Sequence, residues 1–349
     1  MLHTQWGADL MEWNSGFSAL YELRTVDPVS FLDSGSLDFT AGTIDRTGTG
    51  LIESADLTMT ENPGECIVRV YLRARQTADG NRIPLFTGIT SAPEKRLDGK
   101  RISYNVECYS VLKPVDDILV ERGYFAPAGA EAAAIVADLL GVGPAPVVVE
   151  SGSPCLVESI VAEDTMSRLD VAWLILDAIG WRIRIDGNGT VYVCSAAREP
   201  SALFDAMEND VLEMSVTDKQ DWFSVPNCIR VLSGDSYSEF IDDDPDSAVS
   251  TVARKRTRGG NGEIWMSDSA STLGDNESLA EYALRILRDA QSPARSVSYA
   301  RRYRPDVLVT DLVSLHLPGV GIDGTFKITS QRVELGFGCR TSEEVTQVG

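Results

Sequence analysis

The chain has 349 residues, of which 43% are hydrophobic and 24% charged, the balance of a folded globular protein rather than a disordered one. That length exceeds what one ordinary core serves, so two or three packed units are expected. The 31 basic and 52 acidic residues leave a formal net charge of −21. This excludes a cationic surface that grips phosphate, but it permits a channel wall along which nucleic acid slides without sticking.

No apolar run approaches the roughly 18 residues of a membrane span, and the start, Met1 to Gly16, has no basic segment leading into an apolar one. The expectation is a chain that neither spans a membrane nor follows the standard export route. Six cysteines (Cys66, Cys108, Cys155, Cys194, Cys228 and Cys339) are spread without a CxxC pair, several of them inside apolar alternation. They read as reduced core residues rather than a disulfide framework or zinc site.

Residues 17–110 read as strands punctuated by turns. Ala55, Leu57 and Met59 alternate with Asp56 and Thr58, and Cys66, Val68, Val70 and Leu72 alternate with Ile67, Arg69, Tyr71 and Arg73. Period two over such lengths means sheet. Leu85 to Thr90 gives another strand. After the turn at Asp98-Gly99, residues 101–109 put Ile102, Tyr104, Val106 and Cys108 on one face and Ser103, Asn105 and Glu107 on the other. A small antiparallel barrel or sandwich closes such a half-wet sheet.

Beyond Tyr109 the pattern turns helical. Residues 111–120 suit a short helix with Pro114 in its first turn, and residues 128–140 an alanine-rich helix ended by Gly141. The stiff connector Gly143-Pro144-Ala145-Pro146 leads to an apolar strand, Val147 to Val149. The strongest helix is expected over 165–179, capped by Thr165, ended by Gly180 and apolar on more than one face, so deeply buried. Residues 181–185 and 190–194 then flank Asp186-Gly187-Asn188-Gly189, a hairpin signature.

Strands resume from Val211, with Asn227 to Leu232 a clear example, until the acidic turn Asp242, Asp243, Asp244 and Asp246. Residues 253–262, holding Arg254, Lys255, Arg256, Arg258 and three glycines, read as the most mobile loop. Residues 278–291 form an amphipathic helix with Leu279, Tyr282, Ala283, Ile286 and Leu287 on its apolar side. Strands over 296–303, 308–317 and 324–335 finish the chain.

Chemistry is sparse. His3 lies near the terminus and His316 within an alternating strand, where a structural role outweighs a catalytic one, and no GxSxG or papain-like pattern accompanies either. Asp186-Gly187-Asn188-Gly189-Thr190 resembles the opening of a calcium loop, but its twelfth position is Ala197 where a bidentate Glu is required. The Asp242 cluster reads as a solvated acidic loop before a cation site. No phosphate-cradling glycine motif occurs. No catalytic, cofactor-binding or metal residue is assigned, and no cofactor is expected.

The order of the pieces carries more. Phe86-Thr87-Gly88-Ile89-Thr90, Asp98-Gly99-Lys100, and the strand from Ile102 that runs into Tyr109-Ser110-Val111-Leu112-Lys113-Pro114 resemble the first-domain signature of phage tail hub proteins. Pro226-Asn227-Cys228-Ile229-Arg230-Val231 is similar to the "P-N-x-I-x-V" strand that opens the second barrel of that family. The stretch from Arg304 to Val313, followed by Gly324-Thr325-Phe326-Lys327-Ile328, resembles its "P-D-x-x-x-G-D-x-V … G-x-F-x-I" ending, with Thr310 in place of the usual glycine before Asp311.

The resemblance implies a late-control-D-like or baseplate-hub fold: mainly β with α+β, two tube-forming β-barrel domains and a peripheral α/β domain. The partition it implies is a first barrel at 1–113, a lateral α/β domain at 114–213 and a second barrel at 214–349 with an inserted helix near 278–291. It implies a structural virion protein rather than an enzyme, forming a homotrimeric ring at the tail tip after assembly in the host cytoplasm. Expected partners are the tail tube or distal tail protein and a tip, spike or fibre protein, with DNA or a tape-measure protein crossing the lumen without tight binding. The lumen wall should then be polar or acidic on balance, with Arg254 to Arg258 held away from it. Many tail-tip proteins continue into a hydrolase or fibre, so cell-wall cleavage or receptor binding is expected on another polypeptide. The alternatives are a tail-associated cell-wall hydrolase and a host-glycan-binding tail protein.

Overall fold

The computed structural model describes residues 18–74, 82–91, 93–195, 200–205, 210–211, 215–220, 223–233, 236–269, 278–291 and 295–348. The first third is all strand: β1 (Ala19–Val26), β2 (Asp33–Leu37), β3 (Phe39–Thr47), β4 (Glu53–Met59), β5 (Ile67–Ala74), β6 (Arg82–Thr90), β7 (Glu94–Asp98) and β8 (Arg101–Ser110). The middle holds α1 (Lys113–Asp116), β9 (Phe125–Ala126), α2 (Ala132–Leu140), β10 (Val147–Val149), β11 (Ile160–Val161), α3 (Arg168–Ile179), β12 (Trp181–Ile185), β13 (Val191–Ser195) and β14 (Ala202–Asp205). The last third comprises β15 (Thr217–Gln220), β16 (Cys228–Ser233), β17 (Ser236–Ile241), α4 (Thr251–Arg258), β18 (Trp265–Ser269), α5 (Leu279–Gln291), β19 (Arg295–Arg302), β20 (Leu312–Leu317), β21 (Ile322–Glu334) and β22 (Arg340–Gln347).

Strands from both ends of the chain join one large sheet in the order β15-β19-β22-β21-β3-β4-β8-β6-β5-β1-β2, with β7 on β8 and β20 on β21. The fold is mainly β, as expected, and among the described residues this path is open at both ends. Alternation decides the faces. Ala55, Leu57 and Met59 of β4 and Val68, Val70 and Leu72 of β5 are buried, and they form one core with Leu85, Phe86, Val106 and Cys108. A second core joins the middle third to the last, running from Val136, Leu139, Ile175 and Leu176 to Val297, Phe326 and Val345. None of the six cysteines is bonded to another; Cys108, Cys228 and Cys339 are buried, whereas Cys155 is exposed.

The helices depart from the sequence reading in instructive ways. The strongest one starts at Arg168, because Ser167 and not Thr165 caps it. Ser167 Oγ accepts from the Asp170 amide at 3.0 Å while Asp170 Oδ2 accepts from the Ser167 amide at 2.9 Å, a reciprocal box. Gly180 ends it in the left-handed region at φ 66°. Its burial is one-sided: Leu169, Val171, Ala172, Ile175 and Leu176 are buried, Leu174 is 40% exposed, and the half-buried Trp173 donates its indole N–H to the Gly50 carbonyl at 3.0 Å.

Residues 251–258 are helix, not the mobile loop expected over 253–262. Ser250 Oγ accepts from the Ala253 amide at 3.2 Å, and Arg254 is 4% exposed. This helix, α5 and the sheet β17-β16-β18 build a small module with its own core of Ile229, Val231, Ala283 and Leu287. Asn227, fully buried, ties the module together by donating to the Val249 and Gly262 carbonyls at 3.0 and 2.8 Å and accepting from the Ile264 amide at 2.7 Å. Strand β16 therefore pairs with β17 and β18 rather than with the large sheet.

The three-stranded sheet β10-β13-β12 packs on α2 and α3, and its Asp186–Gly189 turn docks on β6. Thr87 Oγ1 donates to the Gly187 carbonyl at 2.8 Å, and Arg69 Nη2 donates to the Asn188 carbonyl at 2.8 Å. A Cβ on Gly187 would lie 1.8 Å from the Pro84 carbonyl oxygen, so only glycine lets the two backbones approach this closely. Gly187→Ala should therefore cost at least about 2 kcal/mol through forced separation of turn and strand. Urea unfolding checks it; a midpoint unchanged from wild type would show that the turn does not bear on β6.

Candidate functional site: a continuous antiparallel wall

Eight of the strands form an unbroken antiparallel run, β15-β19-β22-β21-β3-β4-β8-β7, half from each end of the chain. The junction is β21 on β3, with Ser330 opposite Thr47 and Glu334 opposite Thr43. One face of this run turns to the cores. The other carries Thr43, Ser54 and Thr58 from the first third and Ser296, Ser298, Ser330, Ser342 and Thr346 from the last, so it is a hydroxyl-rich surface. It is concave across the junction, where a cavity of about 380 Å³ is lined by Asp45, Thr47, Thr217, Ser298, Ser330, Arg332, Arg340, Ser342 and Glu344 among others.

The face is polar, and its charge is mixed rather than acidic. The signs are biased rather than segregated: the first-third strands carry Asp45, Asp56, Glu94, Asp98 and Glu107 beside Arg96 and Arg101, and the last-third strands carry Lys219, Lys327, Arg302, Arg332 and Arg340 beside Glu334 and Glu344. Two of the bases are paired: Arg332 with Asp45 across the junction at 3.2 Å, and Arg340 with Glu334 at 2.7 Å.

Behind the junction, on the core face, four directly opposed residues on adjacent strands make a polar rung: Glu343 on β22, Gln331 on β21, Arg46 on β3 and Glu53 on β4. All are at most 4% exposed. Gln331 Nε2 donates to Glu343 Oε1 at 2.8 Å, and Arg46 Nη1 donates to Gln331 Oε1 at 2.6 Å. Arg46 also donates to the Leu85 carbonyl and to Glu53 Oε2, the latter at 3.4 Å. Arg301, fully buried on β19, grips Glu343 with two bonds of 2.8 and 2.6 Å and lies 4.8 Å from the Phe204 ring centroid. Burial opposes the charge on Arg301, but Glu343 more than offsets it and raises its pKa. Nothing in the sequence marks these five residues as a group. Their signal was a charged or amide side chain at an apolar parity position, as Arg46 is two residues after Ile44.

Residues that did attract notice in the sequence do other work. His316 lies on β20 with Nδ1 3.6 Å from Asp323. Asp186 accepts from the Thr190 amide at 2.9 Å, closing its own hairpin. Asp242 accepts from the Asp244 amide, the Ser247 hydroxyl and the Gln291 amide at 3.1, 2.8 and 3.1 Å, which makes it a turn organiser. Arg258 donates to the Phe223 carbonyl at 2.8 Å and covers that ring. His3 lies outside the described residues. Among the described residues no cluster of His, Cys, Asp and Glu is arranged to hold a metal ion, and no helix is long and apolar enough to cross a membrane.

Burial lifts the Glu53 carboxyl from its usual 4.5 to about 8; Arg46 lowers it only in part, and Asp186 adds to the rise. The folded chain thus holds this proton more tightly than the unfolded one. The resulting stabilisation is complete below pH 4.5 and is lost as pH climbs towards about 8, at about 1.4 kcal/mol per unit of separation between the two values. Glu53→Gln keeps the shape without the titration, so wild type should lose stability relative to it as pH rises through this window. Parallel urea-stability profiles for the two proteins would show that Glu53 is ionised in the folded chain.

No protein-family model matches the chain, and no curated protein does. Solved structures share its fold. The tail protein from Neisseria meningitidis MC58 superposes with a TM-score of 0.69 at 14% identity, over 95% of this chain and 97% of that one. The 43 kDa tail protein of prophage MuSo2 from Shewanella oneidensis gives 0.68 at 12% identity, over 95% and 98%. An Escherichia coli component of the type VI secretion system, described as structurally similar to the T4 bacteriophage tail proteins gp27 and gp5, gives 0.51 at 8% identity, over 90% and 74%. The chain accordingly has the fold of phage tail and baseplate-hub-like proteins.

Proposed function

We propose that this chain is a structural subunit of a tail-tip or baseplate hub, in which three copies close into a ring whose inner wall is the eight-stranded run. The observation that carries the reading is the wall itself. Two groups of four strands from opposite ends of the chain are fused in register across β21 and β3, and the concave face they share is hydroxyl-rich where a packed core would be apolar. Shared fold with tail proteins supports it. Three copies make a wall of about 24 strands at about 4.8 Å spacing, roughly 40–50 Å across once tilted, wider than the 16–18-stranded barrels that already leave an aqueous channel.

In this reading the partition is a first tube unit at 1–113, a lateral unit at 114–213 and a second tube unit at 214–349, with α5 on its own small sheet beside the wall. The ring sits in the virion between the tail tube or distal tail protein and a tip, spike or fibre protein, after assembly in the host cytoplasm. It has no catalytic role. DNA or a tape-measure protein passes the lumen without being held, because hydroxyls and paired charges offer few free cations to phosphate.

Native mass spectrometry at micromolar concentration and electron microscopy of assembled particles test this. A threefold ring with an open bore is expected, together with weak DNA retention on a filter at about 0.15 M salt, where screening lengths are about 8 Å. A monomer in both settings overturns the ring, and sub-micromolar DNA affinity overturns the non-sticking lumen.

A further inference from the structure

The eight-stranded run has two ends. Strand β7 pairs only with β8, and β15 only with β19, so among the described residues the outer edge of each has no strand partner. All of β7 is exposed, as are Thr217, Asp218 and Lys219 of β15. Every pairing between the ends is antiparallel, so across eight strands β7 and β15 run in opposite directions. The β7 edge of one copy can therefore meet the β15 edge of the next in the antiparallel sense used by every other pair of the wall. Such a contact is heterologous, and repeated around an axis it closes a ring.

The side chains select one register. Glu94, Arg96 and Asp98 share the concave face with Asn105 and Ser103, while Lys95 and Leu97 point the other way. On β15, Thr217 shares the concave face with Ser298, while Asp218 points away. Faces match when Glu94 stands opposite Lys219, Lys95 opposite Asp218, Arg96 opposite Thr217 and Leu97 opposite Val216. That register makes two opposite-charge pairs and covers Leu97, which is 68% exposed, with the apolar Val216. A slip by two residues sets Arg96 against Lys219 or leaves Glu94 against Thr217, losing both ion pairs, and a slip by one sets Leu97 against a residue of the neighbouring copy, Thr217 in one direction, whose side chain points to the opposite face. Asp218 already accepts two bonds from Arg295 at 3.1 and 2.9 Å, which fixes its carboxylate while leaving it able to accept from a lysine.

We propose that a second copy of this chain docks edge to edge, β7 of one subunit against β15 of its neighbour, with Glu94 opposite Lys219 and Lys95 opposite Asp218. The proposal rests on the ring reading and adds the edges and the register.

Two measurements on the full chain test it. Lys95→Cys with Asp218→Cys should yield intermolecular disulfides under mild oxidation, because directly opposed β-carbons lie about 4.5–5.5 Å apart. Wild type, with its six native cysteines, sets the background. Arg96→Cys with Asp218→Cys, out of register and on opposite faces, should not cross-link. Independently, Glu94→Lys or Lys219→Glu alone should weaken self-association, on the order of 5- to 10-fold in dissociation constant, and the double reversal should restore it. Oligomers that form without the in-register cross-link, or reversals that act additively without rescue, overturn the edge assignment while the ring stands. A wild-type chain that remains monomeric overturns the ring and the edges with it.

Discussion

The interaction on which the structure depends is the buried rung Glu343–Gln331–Arg46–Glu53, with Arg301 gripping its end. It crosses the junction of β21 and β3, where strands from opposite ends of the chain meet. An apolar junction would tolerate sliding of β21 along β3, since one hydrophobic pair resembles the next. A row of directional bonds does not, because a slip leaves buried charges unpaired, at a cost of about 3–5 kcal/mol for a broken pair. The network therefore fixes register where packing alone would leave it loose. That register aligns Arg332 with Asp45 on the concave side and makes two four-stranded groups one wall.

The sheet β10-β13-β12, packed on α2 and α3, is bonded to both the first and the last third of the chain. On the first third, Arg69 reaches Thr87, Asp33 and the Asn188 carbonyl together, so the Asp186–Gly189 turn is held by the same side chain that holds the β1–β2 loop. On the last third, Arg182 donates to the Thr310 carbonyl and hydroxyl at 2.8 and 2.7 Å, and Arg184 reaches Asp311 at 3.2 Å. Thr310 stands at φ 72°, a backbone region that favours glycine and strains a β-branched residue. The tail-hub pattern that this stretch resembles has glycine there. In this chain the threonine hydroxyl gains a buried arginine donor that glycine lacks, a contact that offsets part of the strain.

Local features were the legible part of the sequence. Period-two alternation marked β4, β5 and β8, each of which sends a row of apolar side chains into a core, whereas β7 is exposed at every residue and carries no such row, and Asp186-Gly187-Asn188-Gly189 announced its hairpin through turn chemistry. What failed was long-range. Nothing in Asn227 to Leu232 distinguishes a strand of the large sheet from one in a separate module; the decision is made by Ala283 and Leu287, which lie far along the chain. Residues 251–258 look like a loop because Arg254, Lys255, Arg256 and Arg258 crowd a glycine-rich stretch, and only the Ser250 cap and the burial of Arg254 reveal a helix. The polar rung was hidden for the same reason. Each member reads as an ordinary surface residue until its strand finds its neighbour.

A wall that is polar on its concave face sets two demands against each other. In the proposed ring, side chains there must not bind a passing polyanion, yet a purely acidic surface would repel itself across the closed ring and weaken the subunit contacts that make it. The observed pattern meets both. Opposite charges meet across the junction, where Arg332 pairs with Asp45, and within the last third, where Arg340 pairs with Glu334. In the proposed ring the first-third and last-third strands meet again at every subunit boundary, where Glu94 of one copy stands by Lys219 of the next. Charges that neutralise in pairs hold the wall together and leave few free cations towards the bore. In the proposed ring the bias of sign between the two groups of strands acts twice, once within the subunit at Arg332 and Asp45 and once between subunits at Glu94 and Lys219.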